Sequence, residues 1–67
     1  MTQASFNDLQ LKYGDYIWLM NEGGEGFFGY FYGDYDQVKM TFKFRNHSNG
    51  QDEIVKIEKL QRLERAK

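Results

Sequence analysis

The strongest structural signal in the chain is the ten-residue run Gly26-Phe27-Phe28-Gly29-Tyr30-Phe31-Tyr32-Gly33-Asp34-Tyr35. It holds half of the chain's twelve aromatic residues and three of its seven glycines. Aromatic side chains bury large areas and tyrosine keeps a polar hydroxyl, so such a run suits a hydrophobic core or a binding surface. Glycine lets a strand bend or another group approach closely. The run therefore predicts an aromatic β-strand.

Alternation along this strand divides its side chains between two faces. Phe28, Tyr30 and Tyr32 fall on one face. Phe27 and Phe31 fall on the other, with Gly29 and Gly33 between and after them. A domain this small cannot bury both faces equally. We expect Phe31 and either Phe27 or Phe28 in the core, and the tyrosines partly exposed.

Flanking patterns predict further strands. Residues 16–20 are apolar on both faces and follow a Gly14-Asp15 turn, which is typical of a buried strand. Four apolar residues alternate with polar ones after the aromatic run, so a strand with one buried face is expected there. These apolar residues are Val38, Met40, Phe42 and Phe44. The Asn49-Gly50 pair suits a hairpin turn before a returning strand at 54–57.

The last fifteen residues allow two interpretations. Leu60 and Leu63 have helical spacing, and Glu58 precedes Arg62 by four residues, which favours a short C-terminal helix after the strand. The alternative is one amphipathic helix over 53–66. We prefer the strand and helix because β-branched residues at 54, 55 and 57 suit a sheet. The expected core comprises Ile17, Leu19, Phe27 or Phe28, Phe31, Val38, Met40, Phe42, Val55 or Ile57, and Leu60.

Length and composition limit the possible classes of protein. The 67 residues suffice for one domain. We expect a flexible arm over 1–10, with Phe6 or Leu9 held against a domain over 11–67. Nine basic and ten acidic residues give a net charge of −1, so no overall field favours polyanions. Cysteine is absent and no long apolar segment occurs, which predicts a cytoplasmic protein outside the membrane.

No pattern in the chain indicates catalysis or a cofactor. The glycine-rich loop at 23–26 lacks the Lys-Ser/Thr ending of a phosphate-binding loop and contains Glu25, which would repel phosphate. The single histidine, His47, lies among turn residues without a nucleophile or metal ligands nearby in sequence. We therefore predict neither an enzyme nor a metal or cofactor site.

Three families share local patterns with the chain. The residues Gly26-Phe27-Phe28-Gly29-Tyr30-Phe31, followed by Val38-Lys39-Met40-Thr41-Phe42, resemble the RNA-binding motif of cold-shock domains. That resemblance implies binding of single-stranded nucleic acid by stacked rings beside a basic groove. The residues that would contact nucleic acid are Phe28, Tyr30, Lys39, Lys43 and Arg45.

A second resemblance extends over more of the chain. The pattern looks like the opening repeat of the N-terminal β-trefoil of inositol trisphosphate and ryanodine receptors. It comprises Leu11-Lys12-Tyr13-Gly14-Asp15, Leu19, Glu22-Gly23, Gly26-Phe27, Gly33, Asp36 and Val38. One such repeat would need three associated copies to close a barrel, and the match carries over no ligand residues.

The same features resemble a Src-homology-3-like barrel, which fits the length without missing parts. The Gly14-Asp15 strand start, the glycine-broken hairpin and the apolar turn at 60–63 carry this resemblance. It implies an all-β fold: a small antiparallel barrel of four or five strands with a short C-terminal helix. Closure of a barrel would also remove exposed sheet edges.

The expected function is non-enzymatic interaction or assembly. A protein partner, or a second copy of the chain, would bind an aromatic patch or an open strand edge. The candidate partner-binding residues are Trp18, Tyr30, Tyr32 and Tyr35. The alternative function is the single-stranded nucleic-acid binding described above.

Overall fold

The fold is an antiparallel β-sheet with one short helix, seen in a computed structural model that describes residues 1–66. The elements are α1 (Gln3–Leu9), β1 (Tyr16–Asn21), β2 (Gly26–Phe31), β3 (Thr41–Asn46), β4 (Asp52–Lys56), a 3-10 turn (Ile57–Lys59) and β5 (Leu60–Arg65). All five strands belong to one sheet in the order β4-β3-β2-β1-β5. The predicted predominance of antiparallel β-structure is confirmed.

The sheet is open, and the closed barrel predicted from the sequence is not observed. β4 and β5 lie at opposite edges of the strand order, although only the 3-10 turn separates them along the chain. Among the described residues, each pairs with a single neighbour, β4 with β3 and β5 with β1. Two strand edges are therefore available, which matters for the surfaces described below.

The predicted C-terminal helix is wrong, and so is the alternative of one helix over 53–66. Leu60 and Leu63 both lie in β5 and both are buried, although residues three apart in a regular strand face opposite sides. The pairing of β1 with β5 shifts register between Met20 and Asn21. Such an irregularity adds a residue to one strand and turns the later side chains to the other face. Because of the bulge, two buried residues of one strand, Leu60 and Leu63, are three positions apart, which is also the spacing of a helix.

The core lies on one face of the sheet, beneath α1. Its buried residues are Phe6, Ile17, Leu19, Phe31, Phe42, Phe44, Ile57, Leu60 and Leu63. The two-face division of β2 is confirmed, since Gly29 and Phe31 are buried whereas Phe28 is exposed. Phe27, the alternative candidate, is half-buried and packs against this core.

The N-terminal residues contribute to the core through α1. The Thr2 hydroxyl accepts a hydrogen bond from the Ser5 backbone N–H at 3.2 Å and so caps the helix. Phe6 is only 5% exposed, and its ring centroid lies 5.5 Å from that of Phe42 in a stacked arrangement. The terminal ammonium of Met1 donates to the Leu60 carbonyl at 2.7 Å. Phe6 is therefore held against the domain, as expected, and the segment that carries it is a seven-residue helix.

The prediction that Val38 belongs to the core is wrong, because the strand begins three residues later. Val38 is 93% exposed in a turn over 37–40. One carboxylate oxygen of Asp36 accepts from the backbone N–H groups of Val38 and Lys39, at 2.9 and 3.0 Å. Side-chain acceptors of this kind favour turns over strand pairing. Met40 then adopts a φ of 54° and packs half-buried against the core.

Candidate interaction surface

The face of the sheet opposite the core carries a continuous group of aromatic side chains, here called the outer aromatic face. Its members are Tyr13, Tyr16, Trp18, Phe28, Tyr30 and Tyr32. β1 and β2 supply four of them as two directly opposed cross-strand pairs, Tyr16 with Tyr30 and Trp18 with Phe28. Cross-strand aromatic pairs stabilise sheets, so the face is also structurally ordered.

The rings lie close enough to form one surface. The ring centroid of Tyr16 is 5.9 Å from that of Phe28 and 5.2 Å from that of Tyr30. Tyr30 is 6.4 Å from Tyr32, which stacks on Tyr13 at 4.9 Å with 17° between the ring planes. These separations are typical of interacting aromatic pairs. A connected chain of five rings results, with Trp18 beside it. Tyr13 and Phe28 are exposed at its two ends, and the rings between them are half-buried.

Two glycines in β2 each allow a ring to pack closely on the strand, one on the outer face and one in the core. A methyl group at Gly26 would lie 2.7 Å from a ring carbon of Trp18, so the indole rests directly on the glycine backbone. A methyl group at Gly29 would collide with the Arg45 carbonyl oxygen and approach a Phe44 ring carbon to 2.5 Å. Gly26 therefore makes room for a ring on the outer face, and Gly29 makes room for one in the core.

The cations on this face are paired with carboxylates. The Arg45 guanidinium lies 4.5 Å from the Tyr32 ring centroid and donates two hydrogen bonds to Asp52, at 2.7 and 3.2 Å. These hydrogen bonds lower the pKa of Asp52 and raise the pKa of Arg45 from their ordinary values. The Lys43 ammonium is 3.3 Å from an Asp34 carboxylate oxygen. The local charge is therefore largely neutralised.

His47 joins the surface from the turn after β3. Its Nδ1 is 3.1 Å from the Tyr16 hydroxyl, and its ring meets the Tyr16 ring nearly edge-on. A shallow hollow of about 350 Å³ lies between these residues and Phe28. The sequence indicated only an exposed loop histidine, because Tyr16 is 31 positions away. Tyr13 and Tyr16 were also missed, although Tyr16 shares the alternation of Trp18 in β1.

The structure brings together three of the four predicted partner-binding residues. Trp18, Tyr30 and Tyr32 lie on the outer aromatic face. Tyr35 does not: its ring centroid is 4.9 Å from that of Phe6, and its hydroxyl accepts a hydrogen bond from the Gln3 side chain at 3.1 Å. The strand ends at Phe31, and positive φ values at 33 and 34 redirect the chain, so alternation does not continue to Tyr35.

Four of the five residues predicted to contact nucleic acid also share this face. Phe28 is 49% exposed, and Tyr30 lies opposite Arg45 in the pairing of β2 with β3. Lys43 follows on the same side of β3. Lys39 lies instead in the exposed turn over 37–40, so it does not continue a basic stripe along the strand.

Neither metal ligands nor a membrane segment stand out over residues 1–66. No three His, Cys, Asp or Glu side chains in this part of the chain are grouped as a metal site requires. None of its helices has the length and apolar character needed to cross a bilayer. Comparison of the chain with protein-family models, curated proteins and solved structures found no match.

Proposed function

We propose that this protein is a non-enzymatic interaction module that binds a protein partner through the outer aromatic face. The observation that carries the proposal is the position of the rings. Six aromatic side chains are gathered on the face of the sheet that the core does not use. Tyr, Trp and Arg are enriched where protein interfaces gain most of their binding energy.

The charges around the rings favour a protein over a polyanion. Asp52 and Asp34 already neutralise Arg45 and Lys43, so a phosphate backbone would have to compete with two carboxylates. A protein surface can instead meet the stacked rings with apolar groups and the tyrosine hydroxyls with hydrogen bonds. The hollow beside Phe28 and His47 adds a recess for one partner side chain.

The Src-homology-3-like architecture is retained as part of this proposal. The strand order, in which the last strand pairs with the first and the others pair consecutively, supports it. So does the 3-10 turn over Ile57–Lys59 between the last two strands. The open sheet would then be a variant of the small barrel in which β4 and β5 remain apart.

Affinity capture with matched variants tests the proposal. Tagged chain is incubated with extract from the source cells, and the bound proteins are quantified. We expect a defined protein to be recovered by the wild type and reduced at least about tenfold by Trp18→Ser or Tyr32→Ser, since truncating a central interface ring costs about 2 kcal/mol. Val38→Ser is the control, because Val38 is exposed and lies in the turn over 37–40.

Equal recovery of the partner by the wild type and all three variants would contradict the proposal.

The same experiment distinguishes protein binding from single-stranded nucleic-acid binding. The proximity of Lys43 and Arg45 to Tyr30 and Tyr32 favours this second function. Recovery of nucleic acid that disappears at high salt and with Lys43→Glu would support that second function. Circular dichroism of each variant confirms that the sheet is retained.

A further inference from the structure

The free edge of β4 is an accessible backbone surface. Within residues 1–66, β4 pairs only with β3, so its second side has no partner strand. Four of its five residues are exposed, and Ile54 keeps 65% of its surface in contact with solvent. An edge of this kind presents unpaired N–H and C=O groups to any chain that can align with it.

The hydrogen-bonding pattern identifies which backbone groups face outward. In antiparallel pairing, residues bonded to the neighbouring strand alternate with residues that are not. Backbone bonds from Asn46 to Gln51 at 3.0 Å and from Ile57 to Met40 at 2.9 Å fix this alternation at both ends of β4. The N–H and C=O groups of residues 52, 54 and 56 therefore point away from β3.

These three residues form a self-complementary sequence. If a second copy of β4 pairs antiparallel about a twofold axis at Ile54, that residue lies opposite its own equivalent. Asp52 then lies opposite Lys56 of the second copy, and the reverse pair forms on the other side of the axis. All outward groups are used in six backbone hydrogen bonds. Lys56 of each copy then faces an Asp52 carboxylate that also accepts from Arg45 of its own chain. The two exposed Ile54 side chains come into contact on the axis.

We propose that the chain forms a twofold dimer by pairing β4 with β4 of a second copy, in the register centred on Ile54. This inference deepens the proposed function. It rests on that function only for the claim that the chain acts by binding other protein chains. The axis runs perpendicular to the joined sheet, so both outer aromatic faces lie on the same side. The dimer therefore presents two equivalent partner sites on one surface, which increases avidity.

Sedimentation over a concentration series tests this dimer. The wild type is expected to shift from monomer to dimer with increasing concentration. Lys56→Glu places like charges opposite Asp52 twice per dimer and should raise the dissociation constant roughly tenfold. Ile54→Asp sets two carboxylates against each other on the axis and should raise it further. Lys39→Glu makes the same charge change in the exposed turn over 37–40 and should leave the constant unchanged.

Three outcomes would overturn the inference. The first is a wild type that stays monomeric up to about 1 mM. The second is a dimer whose dissociation constant is unchanged in both β4 variants. The third is formation of polymers, which would indicate that β4 of one copy pairs with β5 of the next. In the second of these outcomes, loss of the dimer in Trp18→Ser would assign the contact to the outer aromatic face. If the dimer forms but no partner protein is captured, the proposed function is contradicted and the β4 dimer is supported. Circular dichroism shows whether each variant keeps the sheet.

Discussion

Replacing Gly29 by alanine is expected to lower the free energy of unfolding by about 3 kcal/mol, the upper part of the usual range for overpacking. The new methyl group would collide with the Arg45 carbonyl oxygen and press into the Phe44 ring. The carbonyl belongs to β3, the strand hydrogen-bonded to β2, so relief requires the two strands to separate. In a domain of this size that loss would remove a large part of the total stability.

Urea unfolding followed by circular dichroism measures the effect. Gly23→Ala is the matched control, because a methyl group there would meet only the Asn21 side-chain oxygen at 3.4 Å, close to ordinary contact distance. We expect the midpoint for Gly23→Ala to stay near that of the wild type. Equal stability of the two variants would show that β2 and β3 do not approach closely at Gly29.

Phe31→Ala is expected to destabilise the chain by about 3 to 5 kcal/mol, as is typical of a buried phenylalanine. Phe31 is 6% exposed, and its ring centroid lies 5.4 Å from that of Phe42 and 6.2 Å from that of Phe6. Truncation therefore leaves a cavity bounded by rings from β3 and α1. The cavity cannot collapse easily, because those rings are held by other contacts.

Phe28→Ala is the control for this effect, since it makes the same substitution in the same strand on the opposite face. It removes an exposed ring stacked on Tyr16, so a loss of about 1 kcal/mol is expected. Thermal unfolding of both variants under one condition gives the comparison. A larger loss for Phe28→Ala than for Phe31→Ala would reverse the assignment of the two faces.

Local alternation was enough to predict the sheet and the two faces of β2. It identified Phe31 as buried and Tyr30 and Tyr32 as outward-facing, because strand geometry repeats every two residues. It also predicted Ile17 and Leu19 in the core. These features depend on the alternation of side chains within a single strand, which is visible in a short stretch of sequence.

The errors arose where one residue interrupts the period. A bulge between β1 and β5 gave Leu60 and Leu63 a helix-like spacing. The Asp36 carboxylate held the chain in a turn and took Val38 out of the strand. Positive φ values after β2 directed Tyr35 to the core side. None of these events has a distinct signature in the sequence, because the spacing of Leu60 and Leu63 in the bulged strand is also that of a helix.

Long-range contacts account for what was missed in the candidate site. His47 meets Tyr16 only because the turn after β3 lies beside β1 and β2 in the folded sheet. The neutralisation of Arg45 by Asp52 likewise depends on the register of β3 with β4. The aromatic composition of the surface was predictable, whereas its extent and local charge depended on strand pairing.

Acrylamide quenching of Trp18 fluorescence tests most directly whether the outer aromatic face is a surface that a partner covers. Trp18 is the single tryptophan, so its emission reports on this face alone. We predict measurable quenching in the free folded chain, because the indole is half-buried, and strong protection once the captured partner is bound. Full protection in the free monomer, or unchanged quenching in the complex, would contradict the account.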